Sequence, residues 1–371
     1  MKKESRLGEV TDEGHRALTG RRGEPPITSM GMTGVATRIA LSGAITIALT
    51  AAPYAYAAPG PQSAYVTVAV ATVWTTPQSP RPVDQPALTN PVDIRGWVSA
   101  MTQDQQEALT SDELDQTQVL YGDRVIVVRE QGDWDEVRVP DQATPKDPQG
   151  YPGWIPKSQL AIDAGYGALK GYGPFALADH GKTTWLYREP GLANKDLEIS
   201  ADTRLPILNR TDRAIQVSTP DRGPKWLDAQ AATVYQKPTD IPRPTGADLV
   251  QYAATLLGIP YVWGGWSGFG IDCSGLTAIT YEVHGITLPR DAGPQAADNR
   301  GRAVDKMALQ PGDLLFYSND LTNPADYDAI HHVAMYYGDG TMIEAFDKSE
   351  PVRITPVRLD GDYWGARRYL N

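Results

Sequence analysis

The 371-residue chain carries a single cysteine, Cys273. One thiol excludes an intramolecular disulfide framework and any metal site built on several cysteines. Histidine is scarce too: His15, His180, His284, His331 and His332 make up the whole set, and none stands in an HExxH or other spaced zinc pattern. Basic charge is short. Thirty-four Lys and Arg face 45 Asp and Glu, a formal net charge of −11, which fits nucleic acid poorly. The apolar run from Ile39 to Ala52 is shorter than the roughly 20 residues of a membrane span, and Pro53 follows it. With Arg38 before the run and Ala55-Tyr56-Ala57 after it, the segment has the order of a secretory signal and its cleavage site. Residues 1–57 are therefore read as an extension plus signal peptide, with translation starting at Met30 or Met32 and the mature chain near Ala58. That predicts a secreted, extracellular or wall-associated protein with no stable membrane insertion after cleavage. No cysteine lies near Ala57, so no lipid anchor is expected.

What is plentiful is Gly (35), Pro (30) and Tyr (18), a composition that favours turn-rich β-structure. The length suggests two or three domains. Tyr65 to Trp74 alternates and is rich in β-branched residues, so it reads as one strand. The Pro-rich stretch Pro77 to Pro91 reads as a loop, with a short helix inserted at 103–114. Thr117 to Asp123, Val125 to Val128, a Gly132-Asp-Trp134 turn, Glu136 to Val139 and Gly150-Tyr-Pro-Gly-Trp-Ile-Pro156 complete a first unit, 62–163. A looser copy spans 168–236, with Trp185-Leu-Tyr-Arg188, Leu205-Pro-Ile-Leu208, Ala214 to Ser218 and Gly223 to Leu227. A stiff Pro-rich linker covers 237–245, and a last domain covers 246–371.

In that last domain Leu249, Val250, Ala253, Leu256 and Leu257 share one helical face, and Gly258 stops the helix. Tyr261-Val-Trp-Gly-Gly265 follows, then Phe269-Gly-Ile-Asp-Cys-Ser-Gly275, then a second periodic run: Leu276, Ile279, Thr280, Val283. Cys273 thus sits where a loop becomes a helix. Free backbone N–H groups and the positive dipole there are expected to stabilise a thiolate. A thiol nucleophile wants a base, and the base wants an orienting partner. His331 and His332 open an apolar strand, Gly338-Asp-Gly340 makes a hairpin turn, and Thr341 to Ala345 returns. That hairpin sets His332 and Glu344 on one side, although the residues alone leave His331 and His332 nearly even.

Tyr-Val-Trp-Gly-Gly, Asp-Cys-Ser-Gly-Leu, Leu288-Pro-Arg290, Leu309 to Phe316 and His332-Val333, in this order, resemble the NlpC/P60 cysteine peptidases over about 246–371. The resemblance implies an α+β fold with a papain-like catalytic domain, in which the nucleophile's helix packs on a small antiparallel sheet. It implies hydrolysis of peptidoglycan stem peptides after γ-D-glutamate, without metal or cofactor. Carried over, Cys273 is the nucleophile, His332 the general base and then acid, and Glu344 the third polar residue, where many members have His. Tyr261 helps to hold the oxyanion. Asp272 and Ser274 flank the nucleophile as substrate-binding candidates, and Asp272 also suits an N-cap.

The two upstream units resemble bacterial SH3 domains, small SH3-like β-barrels. The tandem resembles the γ-D-glutamyl-L-diamino acid endopeptidases of the family. There the first barrel closes one end of the groove and grips the free amine of L-Ala. Its tyrosine matches Tyr151. Its acidic residue falls on Gln116, with Asp115 beside it. Arg290-Asp291 matches a pair to which no role is assigned, Asp291 counting among the substrate-binding candidates, and the serine expected next is Ala292. The expected enzyme is a monomer releasing L-Ala-γ-D-Glu from stem peptides. The rival readings are an endopeptidase on cross-linked peptidoglycan and a non-enzymatic wall-binding protein.

Overall fold

The computed structural model describes residues 62–348 and 350–370. The expected signal segment lies outside them. Among the described residues no helix is long and apolar enough to cross a membrane.

The first sheet has seven strands: β1 (Gln62–Val66), β2 (Val70–Trp74), β3 (Asp115–Leu120), β4 (Arg124–Gln131), β5 (Trp134–Val139), β6 (Tyr151–Pro156) and β7 (Leu160–Ala161). Its hydrogen-bonded order is open, β3-β2-β6-β5-β4-β1-β7, rather than a closed barrel. Valines and Ala64, Tyr151 and Ile155 from β1 to β6 nevertheless meet in one core, so the sheet wraps round them. The single strand expected over Tyr65–Trp74 is in fact two. β1 pairs with β4 and β7, while β2 pairs with β3 and β6. Thr67 to Ala69 turns the chain between them, and every residue from Ala64 to Trp74 is buried. The Pro-rich loop is more ordered than expected. It holds a 3-10 turn at Pro82–Ala87, and it is followed by a helix α1 (Ile94–Ala100) that the sequence pattern did not reveal, before α2 (Gln103–Ser111). Thr102 caps α2 through Gln105 N–H in a capping box. Trp97, fully buried, anchors the insert by donating to Asp84 at 2.8 Å and meeting Trp74 edge-on.

Helix α3 (Ala164–Tyr172) leads to a second seven-stranded sheet: β8 (Phe175–Leu177), β9 (Thr183–Tyr187), β10 (Lys195–Ser200), β11 (Arg204–Arg210), β12 (Ala214–Val217), β13 (Lys225–Asp228) and β14 (Thr233–Tyr235). Its order, β10-β9-β13-β12-β11-β8-β14, repeats that of the first sheet strand for strand.

The C-terminal region begins with α4 (Gly246–Thr255), capped by Thr245 and Asp248 in a reciprocal box. A two-residue ladder, β15 (Trp266–Ser267) and β16 (Gly270–Ile271), runs into α5 (Cys273–Glu282). After α6 (Ala292–Ala297) come β17 (Arg302–Val304), β18 (Leu314–Ser318), β19 (Ile330–Gly338), β20 (Thr341–Glu344), β21 (Arg353–Pro356) and β22 (Tyr363–Arg368), in sheet order β17-β22-β18-β19-β20-β21. Alternation sorts the two faces of this sheet. Leu314, Phe316, Val333 and Met335 join the core that contains α4 and α5, and Leu315, Tyr317 and Ala334 form a separate cluster on the other face. The α5 residues from Cys273 to Tyr281 are all buried, so this helix is central rather than amphipathic, and the one-sided pattern expected for it understates its burial. Each buried Leu or Ile there contributes about 1.5–3 kcal/mol.

Candidate active site

Helix α5 starts at Cys273 because Asp272 caps it, accepting the Gly275 N–H at 2.6 Å. Gly275 also lies against backbone: a Cβ there would sit 2.2 Å from the Gly265 carbonyl oxygen. Cys273 is 6% exposed. Burial, and then the Asp272 charge, push its thiol up to about 12. Backbone N–H groups of Ser274 and Val333, and Arg290, pull the other way. The helix start therefore does favour the thiolate, as expected, but burial outweighs it and the resting group is a neutral thiol.

The Val333 N–H that reaches Cys273 belongs to the residue after His332. The His332 imidazole sets its Nε2 3.0 Å from Glu344 Oε2. The tight Asp339-Gly340 turn, with positive φ at both residues, sets this register. Tyr317 and Phe346 pack against the imidazole at 5.5 and 5.2 Å between ring centres. Burial lowers the His332 pKa, against the pull of Glu344. Glu344 is fully buried and doubly held by Arg358, at 3.1 and 2.9 Å, and by Thr355 at 2.9 Å. Burial pushes its carboxyl up, but His332 and Arg358 outweigh that and hold it down at about 2. A buried carboxylate thus fixes one ring nitrogen and leaves Nδ1 as the basic one. His331 faces outward to Asp362 at 3.0 Å. Tyr261 is buried, and its backbone bridges Ile271, two residues before the thiol.

On the other side of Cys273 lies a buried polar cluster. Arg290 is 1% exposed. It grips Asp272 at 2.7 and 3.1 Å, Ser274 at 3.0 Å and, across to the first sheet, Thr117 at 2.8 Å. Its backbone N–H reaches Ala143 O at 2.9 Å. Arg290, to which the sequence assigned no role, thus joins two regions through a desolvated ion pair. Ser274 is tied into the same cluster, donating to Asp272 at 3.2 Å. Next to it Tyr151 donates to Asp291 at 2.9 and 3.0 Å, and Gln116 accepts from Lys146 at 2.7 Å. The structure thus gathers Asp272, Ser274, Tyr151, Gln116 and Asp291 on one side of the nucleophile, and His332 and Glu344 on another.

The sequence reading missed Arg358, Thr355 and Lys146, whose contacts depend on the pairing of β20 with β21 and on loop paths that no local pattern encodes. It noticed Asp115 only as a neighbour of Gln116. Asp115 is 1% exposed, and neither of its oxygens has a hydrogen-bond partner among the described residues. Burial, and then the nearby Asp272 charge, raise its pKa well above the usual carboxylate range.

Residues 258–370 match the NlpC/P60 family, and residues 180–235 match the YKFC SH3b2 domain. The chain is similar to a gamma-D-glutamyl-L-lysine dipeptidyl-peptidase of Bacillus cereus, 44% identical over 310 residues, or 83% of this chain and 91% of that protein. The chain belongs to the NlpC/P60 family. A Bacillus subtilis protein of the same name is 38% identical over 286 residues, covering 77% of this NlpC/P60 chain and 90% of its own length. The crystal structure of an NlpC/P60 family protein from Bacillus cereus superposes with a TM-score of 0.77 at 43% identity, covering 84% of this chain and all of that one. The chain is accordingly an NlpC/P60 cysteine peptidase with SH3b domains upstream.

Proposed function

We propose that this NlpC/P60 enzyme hydrolyses the γ-D-glutamyl–diamino acid bond of peptidoglycan stem peptides and releases L-Ala-γ-D-Glu. One observation carries the reading: the first SH3b sheet stands against the start of the nucleophile's helix through Arg290, Thr117 and Ala143. A wall so close to Cys273 leaves room for a short N-terminal stretch of substrate, as a dipeptide-releasing enzyme requires. The relatives named gamma-D-glutamyl-L-lysine dipeptidyl-peptidase support the bond and the diamino acid.

In this reading the Cys273 sulfur attacks the γ-carboxamide carbonyl as its proton passes to His332 Nδ1. Starting from neutral partners, transfer and attack proceed together, and the Glu344 carboxylate stabilises the imidazolium. Backbone N–H groups at the start of α5, with Tyr261, hold the oxyanion. His332 then gives the proton to the departing amine, leaving a thioester of L-Ala-γ-D-Glu on Cys273. Water, losing its proton to His332, cleaves the thioester and restores the thiol. Asp272, Ser274, Tyr151, Gln116 and Asp291 line the side that receives L-Ala. The N-terminal signal pattern supports action on the wall outside the cytoplasm.

Mass spectrometry of L-Ala-γ-D-Glu-L-Lys-D-Ala, with and without N-acetylation, tests this reading. The expected result is L-Ala-γ-D-Glu from the free peptide and none with Cys273→Ala. Equal cleavage of both peptides would favour an endopeptidase on cross-linked wall. Cleavage by the Cys273→Ala variant would overturn the mechanism.

A further inference from the structure

The acceptor cluster beside the nucleophile already holds a cation. Lys146 lies in the segment between β5 and β6, and its Nζ donates to Gln116 Oε1 at 2.7 Å and to the Tyr151 hydroxyl at 2.6 Å. The ammonium also stands 4.5 Å over the Tyr151 ring. Tyr151 passes its own proton toward the Asp291 carboxylate, so three groups in series orient acceptor character at one point. The segment is pinned on both sides of the lysine. Gln142 bonds Thr117 and the Gln118 carbonyl at 2.7 Å each, Ala143 accepts from Arg290 N–H, and Asp147 pairs with Arg138 at 2.6 Å. Such anchoring delivers Lys146 to this point rather than leaving it to wander in solvent.

We propose that Lys146 is a specificity-determining residue: its ammonium occupies the cation position of the L-Ala end of the site and competes with the substrate's free α-amine. The inference rests on the reading above that Tyr151, Gln116 and Asp291 line that end. A peptide with a free amine has to displace the Lys146 ammonium or endure its repulsion. A peptide acylated at the same nitrogen carries no charge and meets no such competitor. Lys146 therefore weakens binding of free-amine stem peptides and narrows the gap between them and acylated ones.

The test uses the full chain as wild type, Lys146→Met and Lys146→Arg, with L-Ala-γ-D-Glu-L-Lys-D-Ala free or N-acetylated. The acetylated peptide is followed as substrate or as competitive inhibitor. In Lys146→Met the KM for the free peptide should fall about tenfold, the scale of one charge-assisted hydrogen bond, with kcat unchanged. Affinity for the acetylated peptide should stay at the wild-type value, which also reports an intact fold. Lys146→Arg, which keeps the charge, should keep the wild-type ratio. An unchanged ratio in Lys146→Met, a higher KM for the free peptide, or an equal loss for both peptides would overturn the proposal. Failure of the underlying reading looks different: wild type and both variants would then cleave the two peptides equally, or cleave neither, and this proposal would fall with it.

Discussion

The two SH3b sheets share one strand order and differ in what they do for the catalytic region. Their third strands grip the same short ladder ahead of Cys273. Gln118 on β3 accepts from Trp266 N–H and the Ser267 hydroxyl, both at 3.1 Å, while Ser200 on β10 accepts from Gly268 N–H at 2.9 Å. The second sheet approaches so closely that a Cβ on Gly268 would sit 1.7 Å from the Lys182 carbonyl oxygen. Beyond this shared clamp they part. The first sheet continues into the buried Arg290 cluster and presents Tyr151, Gln116 and Lys146 beside the nucleophile. The second makes its further polar contact from Arg204 to Glu282, at the far end of α5. The difference teaches that one fold serves as site wall in the first copy and as brace in the second.

The largest break of this comparison is a matched pair of arginine substitutions. Arg290→Met leaves Asp272 buried without its partner, which should cost about 3–5 kcal/mol and lower kcat/KM about 100-fold. Arg204→Met, at a residue with its side chain 23% exposed, should cost about 1–3 kcal/mol and leave kcat/KM at the wild-type value. Thermal unfolding and steady-state kinetics of both variants decide it, and equal loss of activity would make the second sheet a partner in the site.

Glu344 supplies a reference remote from both sheets, since its hydrogen-bond partners all lie in the C-terminal region. Glu344→Gln should lower kcat about 100-fold. Its acid behaviour has a definite sign. The folded carboxyl is held at about 2, below its ordinary 4.5. Glu344 therefore stabilises the protein fully above pH 4.5, and that contribution, up to about 3 kcal/mol, fades as pH falls toward 2. The stability gap between wild type and Glu344→Gln should close over that window. His332, whose pKa is lowered by burial, should lose a further hold on its proton in the variant. The acid limb of kcat/KM should then move to lower pH.

The shared clamp allows a finer comparison. Gln118→Ala removes two hydrogen bonds to the ladder and should cost about 1–3 kcal/mol, whereas Ser200→Ala removes one and should cost about 1 kcal/mol. Both should lower kcat modestly, Gln118→Ala more. Reversal of that order would mean that the second sheet, not the first, sets the position of Cys273.

What could be read in advance follows the range of each interaction. The hairpin of β19 and β20 is local: a tight turn fixes its register, so the chain alone placed His332 and Glu344 on one side. The repeat of strands and turns was legible for the same reason, although burial of both faces of Ala64–Trp74 hid the bend between β1 and β2. Trp97 and α1 follow directly on a Pro-rich stretch whose composition spoke only of loops, and the helix is too short to show a period of its own. Arg290 and Thr117 lie 173 positions apart, and no periodicity reports such a contact. The thiol's pKa ran against expectation because the helix start was visible in the sequence and the depth of burial was not.

The smallest effect is expected at the feature that most separates the two copies in sequence, the insert between β2 and β3. In the second sheet β9 and β10 are joined directly over Arg188 to Asn194, whereas the first carries α1 and α2 between β2 and β3. The insert packs on its own sheet through Trp97 against Trp74, and Arg81 ties it internally, pairing with Asp84 at 2.8 and 2.9 Å. It also touches the catalytic region, where Glu107 on α2 pairs with Lys348 in the segment following Phe346. Phe346 packs on His332, so this pair is one path from the insert to the chemistry, beside Arg95 of α1, which stands 4.8 Å over the Phe269 ring. Glu107 is 59% exposed, and an exposed pair contributes about 1 kcal/mol or less and is screened by salt. Glu107→Gln should therefore change kcat/KM less than about threefold at low salt and not at all at high salt. A tenfold or greater loss that persists at high salt would show that the insert works on the His332 side of the site, and that the first copy walls the substrate from two directions.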